Sequence, residues 1–416
     1  MRRVDAEKLY YGLEFFLATP TWVVTSLYLV SVLDLSPLQL VLMGTAMEAT
    51  VFLCEIPTGI VADTYSRRLS LVIGYLGMGT SWLLVGVIDS PVAVIGLWAL
   101  WGVSYTFTSG AEQAWITDEV GLENVGNVFL RGARYAQVGA VVGLFAQVGI
   151  GVVSLRAGVI AGGIFTILCG LGCLAFMPEH AFRRLPREER GSALTAMKST
   201  AAAGARYAWA APAILLLIGV ELFLGASSEA FDRLKEAHFL RNIGLPGDID
   251  PVVWFGLLWL AGMVLNIAAI GSLIKRVDRG GRESVARYLF AFVALELVGM
   301  LVFALTGSVW VAVAGILVVF FARNMAGPLF DTWLNAQITD SSVRATVISL
   351  TGQSNAVGQS AGGPVLGLIG NVWGIGAALA AGAAAIAPAL GLFARAIVHQ
   401  GREPELEQLP ATAAVD

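Results

Sequence analysis

Apolar runs of about 20 residues follow one another along almost the whole chain, and this repetition limits the fold more than any other feature. A run of that length, wound as an α-helix, covers the hydrocarbon thickness of a bilayer. A helix also satisfies its backbone polar groups internally, where no water can do so. About twelve such spans are expected, near 9–33, 38–62, 69–88, 92–118, 128–153, 157–177, 212–238, 252–274, 286–305, 309–334, 345–370 and 374–395. Composition agrees: of 416 residues, 57% are hydrophobic and 13% charged, and the mean hydropathy is +0.75. That is too little charge to cover a water-soluble protein of this size. The first run is too long for a secretory signal and lacks a small-residue cleavage site, so it is expected to stay as the first span.

Charge placement sets the orientation. If the N-terminus is cytosolic, 21 of the 26 Lys and Arg residues fall in or beside inward-facing segments. Only Arg156, Arg233, Lys235 and Arg241 lie at or near the outer side, and Arg323 lies within a span. Basic residues concentrate on the cytosolic side of membrane proteins, so both termini are expected there, with the chain multi-pass in the cell (inner, cytoplasmic) membrane. The net charge is −4 and no basic stripe is present, which speaks against nucleic acid. Cys54, Cys169 and Cys173 all lie in apolar runs. Cys169 and Cys173 share a helix face, but no His or carboxylate accompanies them, so they read as small packing residues and no metal or cofactor is expected.

The longest polar stretch, 178–211, divides the chain into a first half, 1–177, and a second, 212–395, followed by a cytosolic tail, 396–416. Part of the divider is expected to be an amphipathic helix at the inner membrane surface. The halves carry parallel landmarks. "ADTYSR" (62–67) follows the second span as "VDRGGR" (277–282) follows the eighth, matching Asp63 to Asp278 and Arg67 to Arg282 at an offset of 215. Trp115 and Trp333, near the ends of the fourth and tenth spans, are 218 apart. Gly139-x-x-x-Gly143 in the fifth span and Gly358-x-x-x-Gly362 in the eleventh permit close helix crossing.

The loop "GIVADTYSRRLS" (59–70) has the spacing G-x-x-x-D-x-x-x-R-R. With twelve spans in two halves and a second, degenerate copy of the loop, it resembles the signature loop of the major facilitator superfamily. "EIPTG" (55–59), "SGAEQAWITDEV" (109–120) and "SSEAFDRL" (227–234) are similar to the drug-efflux branch of that superfamily. The resemblance implies an all-α membrane protein with two pseudo-symmetric six-helix bundles around a central cavity. It implies a conformational latch from Gly59, Asp63, Arg67, Arg68, Asp118 and Glu119. Gly59 lets helices approach closely, and Asp63 faces the positive end of the eleventh helix. Arg67 pairs with Asp118 or Glu119 at the end of the fourth span.

Ionisable residues inside spans are costly and usually face a cavity. Ten stand out: Glu14, Glu48, Glu55, Glu112, Glu221, Glu229, Asp232, Glu296, Arg323 and Asp331. Seven of them fall on the first, fourth, seventh and tenth spans, the four that the resemblance places around the central cavity. Glu14, Glu112, Glu221, Glu229, Asp232 and Arg323 are the candidates for proton coupling and substrate contact. Arg323 needs a carboxylate partner near its depth, expected to be Glu221 or Glu229. Gly225, Ala226, Ser227 and Ser228 are expected to let the seventh helix bend or unwind beside its acids. Trp22, Tyr28, Tyr105, Phe223 and Phe231 are candidate substrate-contacting aromatics, suited to an amphiphilic cation.

A carboxylate in a low-dielectric cavity binds protons more readily and can exchange them for substrate. The expected activity is proton-coupled efflux of hydrophobic or cationic small molecules by a monomer embedded in lipid. The alternative is a carrier for a specific natural product or lipid without antiport. The absence of a Walker loop argues against an ATP-driven pump. Scattered histidines (His180, His238, His399) argue against a membrane-embedded metal hydrolase.

Overall fold

The protein is described here by a computed structural model that covers residues 5–19, 21–182, 199, 202–338, 340 and 343–407. Within them every element is helical. In chain order these are α1 (Ala6–Leu17), α2 (Thr21–Ser31), α3 (Pro37–Thr64), α4 (Arg67–Val85), α5 (Pro91–Thr106), α6 (Ala111–Val120), α7 (Leu122–Val153), α8 (Leu155–Phe176), α9 (202–210), α10 (Pro212–His238), α11 (Pro251–Leu305), α12 (Val309–Gln337), α13 (Arg344–Trp373) and α14 (Ile375–Glu407). Short polar connections start several of them. The Ser36 hydroxyl accepts the Gln39 N–H while the Gln39 side chain accepts the Ser36 N–H, with Pro37 at the first helical position. The Ser66, Ser90 and Ser154 hydroxyls accept the N–H groups of Leu69, Ala93 and Ala157 at the starts of α4, α5 and α8, without the reciprocal bond.

Eleven helical segments among the described residues are long and apolar enough to cross a membrane. The twelfth expected span is α13, a 30-residue helix of ample length whose middle carries Gln353, Ser354, Asn355, Gln359 and Ser360. Helix α11 supplies two spans, Pro251–Gly271 and Val285–Leu305. Gly262 and Gly299 both abut α12, at Phe320 and at Gly315–Val318. On a straight helix they would stand about 55 Å apart, so the chain reverses between them. The side chains of Asp278 and Arg282, the second copy of the loop, lie outside the described residues, as do 183–198. What is described of the divider includes α9, where Gly204 sits against Thr346.

The chain forms two compact units, Met1–Thr195 with Arg233–Leu260, and Ala196–Asp232 with Ala261–Asp416. Residues 233–260 thus join the first unit. Arg241, in the π-helical turn Phe239–Ile243, donates to the carbonyls of Val30 and Leu35 at 3.1 and 3.0 Å and pairs with Asp34 at 2.8 Å. Arg233 lies 5.0 Å from the Trp98 ring, and Val252 packs on Gly151. Outward faces keep large apolar side chains such as Leu130, Phe145, Leu168 and Leu368 exposed, a surface suited to lipid.

Each unit contains the same crossing. In the first, Gly139 and Gly143 of α7 lie against the backbone at Phe15 and Thr19. In the second, Gly358 and Gly362 of α13 lie against Leu222 and Ala226 of α10. The glycine pairs are offset by 219 and their partners by 207, so Glu14 and Glu221 occupy matching places beside the two crossings. A side chain at any of these glycines would strike backbone, which explains the residue type.

Three details differ from expectation. The first span is two helices, α1 and α2, and the fourth is α5 and α6, separated by a turn at 107–110. Gly110 has φ +72°, a conformation open to glycine and costly for other residues. The seventh span, expected to unwind at Gly225–Ser228, is instead continuous from Pro212 to His238. Its small residues serve packing: Gly225 meets the Asn355 backbone, and Ser227 is fully buried.

Candidate functional site

The breaks in the first and fourth spans open a cavity of about 430 Å³ inside the first unit. Five spans wall it: Phe15, Phe16 and Trp22 from the first, Tyr75 and Trp82 from α4, Trp101, Tyr105 and Glu112 from the fourth, Gln147 from α7, and Phe165 from α8. The aromatic wall is continuous. Trp22 contacts Trp82 and Trp101 with ring centroids 4.9 and 5.2 Å apart, and Trp101 stacks on Tyr105 at 5.4 Å. Among the described residues, Glu112 contributes the one charged side chain to this lining. Tyr75 donates its hydroxyl to Glu112 Oε2 at 2.8 Å. Glu112 Oε1, Trp101 Nε1 and Gln147 Oε1 are buried with no hydrogen-bond partner. The remaining titratable side chains facing Glu112 are Tyr10 and Glu14, themselves hydrogen-bonded, and Cys169 and Cys173.

Of the five aromatic candidates, Trp22 and Tyr105 line this cavity. Tyr28 and Phe231 are fully buried in packing. Tyr28 lies beneath Arg156, and Phe231 lies edge-on to Phe303 and Phe320. Phe223 is half-buried and lines neither this cavity nor the one in the second unit. Trp82 and Trp101 were not singled out from sequence. Trp98, Trp101 and Tyr105 recur at helical spacing in α5, which places Trp101 on one face with Tyr105 but does not say what that face meets.

The second unit holds a smaller cavity, about 260 Å³, lined by Glu221, Ser228, Glu296, Arg323 and Asn355 among others. Its charges sort into two groups. Arg323 is not paired with Glu221 as expected. It donates from Nε to Glu296 at 2.6 Å and from Nη1 to Asp232 at 2.9 Å, and its guanidinium lies 4.8 Å from the Phe231 ring centroid. Glu221 accepts from Asn355 Nδ2 at 2.6 Å. Glu296, which the sequence left without a role, is therefore the shorter of Arg323's two ion-pair contacts. Glu229 is fully buried, and Asp331 is exposed.

At the loop, Arg67 Nη1 lies 3.2 Å from Asp118 and Nη2 3.9 Å from Asp63. Glu119 takes a different part: Oε1 accepts the backbone N–H groups of His180 and Ala181. Arg68 points to α8, donating to the Met177 carbonyl at 3.3 Å. Glu179, not foreseen, accepts from Ser66 Oγ and the Arg68 N–H at the start of α4. An acid at a helix N-terminus is stabilising. Gly59 has open space where a side chain would project.

The sequence pattern of the family described as Major Facilitator Superfamily matches residues 9–381. An uncharacterized MFS-type transporter of Bacillus subtilis (strain 168), YxaM, is 26% identical over 136 residues. That match spans only about a third of the relative's length and 33% of this chain. Among solved structures, a mutant form of the nucleoside transporter NupG superposes with a TM-score of 0.76 at 13% identity, over 94% of this chain and 100% of that one. A POT family transporter in complex with a thioalcohol-conjugated peptide gives 0.73 at 10%, over 95% and 96%. A bacterial homolog of the human lysosomal transporter Spinster, inward-facing and occupied, gives 0.69 at 15%, over 98% of each. At such identities the likeness is one of fold.

Proposed function

We propose that this chain, which belongs to the Major Facilitator Superfamily, is a proton-coupled transporter that exports hydrophobic or cationic small molecules by alternating access. The observation that carries the coupling is the pair of intramembrane carboxylates held by neutral donors: Glu112 by Tyr75 and Glu221 by Asn355. An ionisable group at such depth is a functional candidate by default. Each acid keeps hydrogen-bonding capacity in both protonation states, because a protonated carboxyl retains acceptor lone pairs. Either can therefore load and release a proton without dismantling its surroundings. Arg323, with Asp232 and Glu296, is a fixed ion cluster by contrast. The Arg67–Asp118 pair is the proposed latch, and the basic bias supports both termini in the cytosol.

Purified protein in liposomes, given an imposed pH gradient and a chemically diverse panel, tests the reading. Gradient-driven flux is expected, and Glu112→Gln or Glu221→Gln should abolish the gradient dependence while substrate still exchanges. Full gradient-driven flux in both of these variants, and in Glu14→Gln and Glu229→Gln, removes the coupling assignment. Flux indifferent to the gradient in the unmodified protein supports the uncoupled carrier instead. For topology, a cysteine introduced in 185–200 and labelled only from outside would reverse the orientation.

A further inference from the structure

We propose that the cavity within the first unit is a binding site for an organic ammonium ion carrying an apolar body, with Glu112 Oε1 as its counter-ion. The inference rests on the transporter reading and adds to it the substrate's charge and the place where it sits.

Size comes first. A volume of about 430 Å³ lies in the range of small-molecule sites, roughly 300–1,000 Å³. Charge comes second. Among the described residues, Glu112 is the one carboxylate in the lining, and no basic side chain lines the cavity beside it. An anionic guest would face uncompensated repulsion, and a neutral one, even if it donated a hydrogen bond, would leave the carboxylate's charge uncompensated. A monocation meets it. The wall is the third argument. Trp22 meets Trp101 edge to face at 5.2 Å and Trp101 stacks on Tyr105 at 5.4 Å, and aromatic faces attract a desolvated cation. Hydrogen bonding is the fourth. Glu112 Oε1 and Gln147 Oε1 are unmet acceptors, and Trp101 Nε1–H is an unmet donor. Gln147 is only 4% exposed, and its amide N donates to Thr21 Oγ1, which turns its oxygen away from that contact. Buried polar atoms in native proteins are seldom left unpaired. Two acceptors and one donor complement an N–H-bearing ammonium whose body carries one acceptor. The pattern does not complement a hydrocarbon or a carboxylate.

The test uses three probes with one ring system: 1-naphthylmethylammonium, the neutral 1-naphthylmethanol and the anionic 1-naphthoate. Binding to the full chain in lipid nanodiscs is read by equilibrium dialysis, without any flux. The cation should bind saturably and about tenfold or more tighter than the alcohol, and the anion should not bind. Glu112→Gln should erase the preference for cation over alcohol, and Trp101→Leu should weaken the cation more than the alcohol. Equal binding of cation and alcohol by the unmodified protein overturns the proposal, even if Glu112→Gln proves unstable. So does an undiminished preference in Glu112→Gln. Driven flux of neutral compounds with no cation preference would sink this site and leave the transporter reading. Glu112-dependent cation binding with no flux would do the reverse.

Discussion

Replacing Arg323 by methionine should destabilise the second unit by about 3 kcal/mol, and a second change should recover most of it. Arg323 serves two acids with unequal surroundings. The Glu296 side chain is 8% exposed and receives Nε at 2.6 Å; Asp232 is 46% exposed and receives Nη1 at 2.9 Å. Removing one partner of a buried ion pair costs about 3–5 kcal/mol, because the other charge is stranded. Asp232 is exposed enough to be resolvated, so its share is about 1 kcal/mol or less. The loss therefore falls mainly on Glu296, at the lower end of the range because a stranded acid can neutralise itself by taking a proton. Arg323→Met with Glu296→Gln removes that stranded charge and should regain about 2 kcal/mol, while Asp232→Asn alone should cost about 1 kcal/mol or less. Unfolding of the purified variants in a graded mixture of mild detergent and sodium dodecyl sulfate gives the ranking. An Arg323→Met variant as stable as the parent, or one that Glu296→Gln fails to rescue, would refute the argument.

Gly139→Leu should prevent folding or cost at least about 3 kcal/mol, since its side chain meets the Phe15 backbone. Gly149→Leu, with open space beside it, should be tolerated. Equal monodispersity of the two in detergent would dismiss the crossing. Arg67→Ala breaks a partly exposed pair and should lower stability by about 1 kcal/mol or less yet slow flux; normal flux would reduce the loop to a topology anchor. Arg241→Ala removes two carbonyl contacts and one carboxylate contact. Hydrogen exchange at residues 28–35 and 239–243 should accelerate about tenfold or more, and unchanged protection would show that the turn is held by packing alone.

The fold was legible because its rules are local. Length of apolar run acts within a few residues of sequence, so eleven spans and the polar α13 fall close to their expected ranges. The glycine crossings were legible for a similar reason: Gly139-x-x-x-Gly143 has one use in a membrane helix. What sequence could not supply was the choice among acids of similar depth. Arg323 has Glu221, Glu229, Asp232 and Glu296 within a plausible helical reach, and only side-chain direction decides for Asp232 and Glu296. The breaks were misplaced because small residues have two uses. Gly225–Ser228 read as a weak point, yet packing against α13 holds it straight, whereas the breaks lie at 18–19 and at 107–110, where Gly110 takes a left-handed turn. Trp82 and Trp101 were missed because a tryptophan on an apolar helix looks the same facing lipid, core or cavity.

Every described residue that lines the aromatic cavity belongs to one unit, and this has a thermodynamic consequence. A guest whose contacts all travel with a single rigid body is a passenger: it is held equally well whichever way that body is turned. Such a guest cannot bias a two-state equilibrium, however tightly it is bound, because only a difference in affinity between states can shift their populations. For occupancy to be sensed, filling the cavity has to alter the body that carries it. The interruptions after Leu17 and at 107–110 are where the wall is not braced by continuous helical hydrogen bonding. They are the joints at which a passenger can become a signal, and stiffening them should leave binding intact while making transport blind to its cargo.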